Sequence, residues 1–176
     1  MPEPGASSPR SASNIPMTIP EKLDLVAKLA EAAKASQKKW GVPASVTIAQ
    51  AILESDWGQW WAAKMLNNFF AVALRPGNHY VAQVVPPRNK RGSNVTYHAP
   101  FRKFRSISAC FQRHAELLAT LSRYQPAMAV ADDPLAFALQ LQRCGSCTDP
   151  DYPTKLARLM AQFRLAQYDA PQKESR

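Results

Sequence analysis

Acidic residues are missing from a long central part of this chain. Between Trp57 and Ala115 there is no aspartate or glutamate, while Lys64, Arg75, Arg88, Lys90, Arg91, Arg102, Lys103, Arg105 and Arg113 all fall there. The formal net charge of +9 is therefore unevenly placed, and such a positive field attracts a polyanion. Cell-wall polymers and nucleic acid both qualify. Tyr97, Phe101 and Phe104 beside the basic residues would suit a stacked single strand. No nucleic-acid motif accompanies them, so nucleic acid is not the expected partner. Long apolar runs are also absent, which excludes a membrane-spanning helix. The first 19 residues, with Pro2, Pro4, Pro9 and Pro16 among serine and glycine, lack the apolar core of an export signal and read as a disordered leader. Cysteine is scarce, with Cys110, Cys144 and Cys147 only. Cys144-Gly145-Ser146-Cys147 has redox-type spacing but no thioredoxin-like strand pattern around it. A local disulfide and two small structural thiols both remain open, the thiols being the simpler reading. His79, His98 and His114 are scattered, which gives no metal-ligand spacing. Neither a metal nor an organic cofactor is expected.

What is present fits one monomeric domain: 176 residues, 46% of them apolar. The expected boundaries are a leader over 1–19, a folded domain over 20–168 and a frayed polar tail over 169–176. Thr18-Ile19-Pro20-Glu21 reads as a capping box with proline in the first turn. A helix follows over Pro20 to Lys39, with Leu23, Val26, Ala27, Ala30 and Ala33 on one face and Gly41 ending it. Pro43 opens a second helix, and 59–72 reads as a short helix and turn rich in core aromatics. From Leu74 to Phe104 the turn signals Pro76-Gly77-Asn78, Pro86-Pro87 and Arg91-Gly92-Ser93-Asn94 separate short β-prone runs. Helical spacing returns from Ile107 to Leu121. Two further helices are expected, Pro134 to Arg143 after an Asp133 cap, and Tyr152 to Tyr168. The fold class is mainly α with a small β lobe.

One carboxylate stands out. The run from Ser45 to Leu53 is uncharged, so a core-facing helix is its natural reading, and Glu54 closes that run, followed by Trp57 and Gly58. A carboxyl at the end of a buried helix is costly to ionise, so its pKa rises. An acid that stays protonated near neutral pH is what glycosidic cleavage requires to protonate the leaving oxygen. A half-exposed glutamate at a helix end is the plain alternative on this segment alone.

The stretch Val42 to Gly58, followed by Asn67-Asn68-Phe69-Phe70-Ala71-Val72, resembles the peptidoglycan-cleaving glucosaminidases of glycoside hydrolase family 73. Their pattern reads A-Q-A-x-L-E-S-G-W-G and then N-N-L-F-G-I-K. Arg123-Tyr124 matches a later R-Y pair, and Thr148-Asp149-Pro150-Asp151-Tyr152 with Lys155-Leu156 matches T-D-P-x-Y-x-x-K-L. The resemblance covers residues 20 to 168. It implies a lysozyme-like fold and an endo-β-N-acetylglucosaminidase acting on glycan strands in the periplasm or cell wall. Glu54 is then the general acid and Tyr152 the group beside the developing charge. Trp57, Phe70 and Tyr124 would line the sugar cleft, and Asn68 would orient an acetamido group.

The chain departs from the family in one respect. Members similar to it carry a second glutamate in the β lobe, and the matching position falls near Pro87-Arg88, where no acid stands. Asp56 replaces the family's glycine, but two residues along a helix turn it about 200° away from Glu54, so the two would not face one cavity unless the helix ends between them. A solvated helix-end acid is its plain role. Two mechanisms work with one carboxylate: the substrate's N-acetyl group acting as nucleophile, or Glu54 acting first as acid and then as base to close an anhydro product, as in lytic transglycosylases. A catalytically silent wall-binding module is the alternative from another class. Arg88, Lys90 and Arg91 would hold peptide carboxylates or wall phosphates. A basic wall hydrolase without an export signal suits a phage endolysin, an effector delivered by a secretion machine or a domain separated from a larger protein.

Overall fold

The computed structural model describes residues 16–73 and 101–171. Helix α1 (Ile19–Trp40) starts where Thr18 and Glu21 cap each other: the Thr18 N–H donates to the Glu21 carboxylate at 2.7 Å, and Glu21 N–H returns a bond to the Thr18 hydroxyl at 3.4 Å. It stops at Gly41, whose φ of 77° suits a residue without Cβ. Its buried face is Val26, Leu29, Ala30 and Ala33. Leu23 and Ala27, expected on that face, are exposed instead. The stripe follows Leu29, which the expected set left out.

Helix α2 (Ala44–Ser55) is buried on every side from Ala44 through Ile52, and α1, helix α6 (Pro134–Arg143) and helix α7 (Tyr152–Gln162) pack around it. A helix with no charge before Glu54 sits at the centre because it has no charged face to offer water, and its Ser45, Thr47 and Gln50 are buried with it. Pro43 gives it no side-chain cap. The Asp169 carboxylate replaces that cap, accepting the Ser45 N–H at 2.8 Å. The tail expected to fray from Asp169 is thus tied down at its start, and Ala170 N–H also binds the Gln37 side chain at 3.0 Å.

After α2 the backbone reverses through three left-handed residues, Asp56 (φ 50°), Trp57 (φ 57°) and Gly58 (φ 69°). Ser55 Oγ steadies the reversal by accepting the Gly58 N–H at 2.8 Å. A bulky residue at positive φ is strained, so Trp57 stores energy three residues from Glu54. Short helix α3 (Trp61–Leu66) follows. Helix α4 (Ile107–Thr120) packs along α1, and α5 (Gln125–Met128) leads to α6. The helix expected to run from Tyr152 to Tyr168 ends at Gln162. Arg164 takes a left-handed φ of 50°, and a 3₁₀ turn (Leu165–Tyr168) finishes the chain's packing against α2.

Most of the expected β lobe, residues 74–100, lies outside the described residues. Its two ends meet in an antiparallel bridge between Ala73 and Phe101. Arg102 N–H donates to Val72 O at 2.9 Å, and Phe104 N–H to Leu66 O at 2.8 Å.

Candidate active site

Glu54 lies on the last turn of α2, partly open to solvent. Tyr152, the first residue of α7, donates its hydroxyl to Glu54 Oε1 at 2.8 Å. Burial raises the Glu54 carboxyl from 4.5 to about 7, against the pull of that hydrogen bond, which favours the ionised form. The acid is therefore close to half protonated at neutral pH. Burial, with the Glu54 charge adding to it, holds the Tyr152 phenol well above its usual value, so it stays a neutral donor.

Two members of this cluster, Gln50 and His114, were not singled out in the sequence. Gln50 sits one turn before Glu54 on the same helix face and donates to Tyr152 Oη at 2.8 Å. Its carbonyl oxygen meets His114 Nε2 of α4 at 3.1 Å. Burial pushes the imidazole down to about 3, so it is neutral at working pH. Gln50 was visible as the Q of the A-Q-A motif, which marked it only as part of a helix. His114 appeared as one of three scattered histidines.

Phe70 belongs to this cluster: its ring stacks flat on His114, with centroids 3.8 Å apart and planes within 5°. Tyr124 is buried as well, and burial raises its phenol, with smaller contributions from Cys144 and Glu54. Beneath them Cys110 is fully buried, and its thiol is pushed up to about 12, chiefly by desolvation.

Two expected residues, Asn68 and Trp57, fall elsewhere. Asn68 is fully buried, and its amide is spent on backbone. It donates to Val72 O and Arg102 O, both at 2.9 Å, and accepts the Val72 N–H at 3.0 Å. It pins the two ends of the lobe together, which replaces the expected role on an acetamido group. Trp57 packs edge-on to Phe163 at 4.9 Å with the Lys22 ammonium 4.8 Å over its ring. It borders a depression with Leu53, Asp56, Lys155 and Arg158, away from the Glu54 cluster. Asp56 is exposed at the helix end. Arg88, with Lys90 and Arg91, lies outside the described residues.

Cys144 and Cys147 are separate thiols, and both are electrostatic neighbours of the tyrosines, Cys144 of Tyr124 and Cys147 of Tyr152. Arg123 holds their loop by donating to Cys144 O at 2.8 Å and Gly145 O at 3.2 Å. Among the described residues, no three His, Cys, Asp or Glu side chains gather as a metal site, and no helix is long and apolar enough to cross a membrane.

Comparison with known proteins identifies a family and a fold. A family model described as mannosyl-glycoprotein endo-beta-N-acetylglucosaminidase matches residues 30–165. The exo-glucosaminidase LytG of Bacillus subtilis is 33% identical over 168 residues, covering 93% of this chain and 59% of LytG. The peptidoglycan hydrolase FlgJ of Pseudomonas aeruginosa is 28% identical over 151 residues, covering 82% of this chain and 37% of FlgJ. The chain thus spans less than two thirds of either relative. The catalytic domain of the autolysin Auto from Listeria monocytogenes has the same fold, with a TM-score of 0.71 at 24% identity over 89% of this chain and 92% of that one. The mainly helical, lysozyme-like architecture expected from the sequence is the one found.

Proposed function

Since this chain belongs to the glucosaminidase family of glycoside hydrolases, family 73, we propose that it cleaves peptidoglycan glycan strands at the N-acetylglucosaminyl β-1,4 bond. Glu54 is the general acid. The observation that carries this reading is the Glu54 carboxyl itself, raised to about 7 by burial and bound by Tyr152 at 2.8 Å. Such an acid holds a proton at neutral pH and releases it to a leaving oxygen as the glycosidic bond breaks. Once the proton has left, the Tyr152 hydroxyl stabilises the carboxylate through a charge-assisted hydrogen bond.

The central stretch from Trp57 to Ala115 carries no acid, and Asp56 is turned out to solvent. The carboxylate pair of most glycosidases is therefore not available from these positions. The substrate's own N-acetyl oxygen would attack the anomeric carbon while Glu54 protonates the leaving group, and Glu54 would then deprotonate the incoming water. Phe70 and Tyr124 would line the cleft. Arg88, Lys90 and Arg91 would hold the anionic groups of the wall, and the place of action is the cell wall or periplasm.

Digestion of purified sacculi, with mass spectrometry of the released fragments, tests this. Reducing N-acetylglucosamine ends support the reading. Reducing N-acetylmuramic acid ends would move the bond to the neighbouring linkage. Anhydro-muramic ends would replace hydrolysis by transglycosylase chemistry. No release from folded protein that still sediments with the wall would make it a binding module.

A further inference from the structure

Gln50 and Glu54 are one helical turn apart on α2, and Tyr152 of α7 lies against both. A neutral tyrosine has one hydroxyl proton. Given to Glu54 Oε1, it leaves the Tyr152 oxygen to accept, and Gln50 Nε2 donates to it at 2.8 Å. That turns Gln50 Oε1 toward His114, so the hydrogen in the 3.1 Å contact belongs to His114 Nε2. One choice at the carboxyl sets the orientation of every other member. Bulk solvent does not compete for these bonds, since Gln50 is 2% and Tyr152 3% exposed. The flat stack on Phe70 fixes the imidazole plane. A buried amide is costly unless both its ends are bonded, and here both are.

We propose that Gln50 and His114 are positioning residues forming a one-way donor relay, His114 to Gln50 to Tyr152 to Glu54. The relay occupies Glu54 Oε1 and leaves Oε2 to carry the proton delivered to the leaving group. This rests on Glu54 being the acid of the proposed glycosidase. The described titratable groups that interact with Glu54 are Cys110 from α4, Tyr124 before α5 and Tyr152 from α7, while His114 of α4 meets Gln50 rather than the carboxyl. Arg102 stands behind Cys110, and Cys147 stands behind Tyr152. Asp56, on the same helix end, is exposed.

The test follows the Glu54 carboxyl carbon by 13C NMR from pH 4 to 9, in the parent and in Gln50→Met, His114→Leu and His114→Gln, beside the pH profile of fragment release. Without the relay the Tyr152 proton is no longer directed at Glu54, and the ionised carboxyl loses support. Gln50→Met and His114→Leu therefore raise the Glu54 midpoint by about half a pH unit, and the alkaline limb of activity moves with it. His114→Gln, which keeps an N–H in place of Nε2, stays at the parent value. An unmoved midpoint in folded Gln50→Met, or a His114→Gln shift equal to that of His114→Leu, overturns the relay. If Gln50→Met does not fold, the two His114 variants decide alone. A parent that releases nothing while its Glu54 midpoint responds as stated sinks the glycosidase reading and leaves the relay standing.

Discussion

Replacing Glu54 by glutamine separates chemistry from stability in one variant. The amide still accepts the Tyr152 hydroxyl, so the packing is kept while the transferable proton is lost. Removal of a general acid costs about 10²–10⁴ in rate, and fragment release from sacculi should fall within that range. Stability should move the other way. In the native protein the carboxyl titrates at about 7, against 4.5 for an unperturbed group. The folded state therefore holds a proton that the unfolded chain releases between those two values. The contribution of this group to stability is then greatest below pH 4.5, falls as pH rises through the window, and levels off above about 7. At 1.36 kcal/mol per pH unit the loss amounts to about 3 kcal/mol, an upper figure because Glu54 is partly open to solvent. The glutamine variant has no such slope from this position. Urea unfolding of both proteins at pH 4 and pH 8 cancels the contribution of every other carboxylate. Relative to its standing at pH 4, the variant should gain up to about 3 kcal/mol at pH 8, worth several degrees in Tm. Parallel stability curves for the two proteins would refute the elevated acid, whatever happens to lysis.

Asp56→Asn should leave fragment release unchanged at every pH, since that carboxylate is solvated; a fall of tenfold or more would make it the second acid. Asn68→Ala should cost about 1–3 kcal/mol in urea unfolding, because the partly buried Val72 N–H and Arg102 O lose their partner, while Val72 O keeps the Arg102 N–H. Asp169→Ala removes the remote cap of α2 and should cost about 1 kcal/mol with lytic activity per folded molecule intact. A thiol reagent at pH 8 should modify Cys144 and Cys147 in the native protein and reach Cys110 only after unfolding, since that thiol is fully buried and raised to about 12. Rapid native labelling of three thiols would contradict the packing beneath Glu54.

The helix starts at Thr18 and Asp133, and the stop at Gly41, were legible in the sequence because each depends on groups within four residues of one another. The uncharged run before Glu54 likewise announced a central helix and a carboxyl resistant to ionisation, since burial of such a run leaves its terminal acid poorly solvated. The tertiary structure decided which polar groups meet. Asn68 binds Arg102 O across 34 positions, Gln50 meets His114 across 64, and the Ser45 N–H finds Asp169 across 124. Nothing adjacent to these residues specifies their partners. The break at Arg164 was equally silent, as neither glycine nor proline marks it, and it follows from the packing of Leu165–Tyr168 on α2. Local hydrogen bonds and hydrophobic periodicity are written in neighbouring letters, so the sequence by itself determined the capped helix ends and the central helix that carries Glu54. The contacts behind Glu54 exist only once α2, α4 and α7 have closed on one another, and the Asn68 clamp only once the segments at Val72 and Arg102 have met, because unpaired polar groups become costly only when water has been removed from around them.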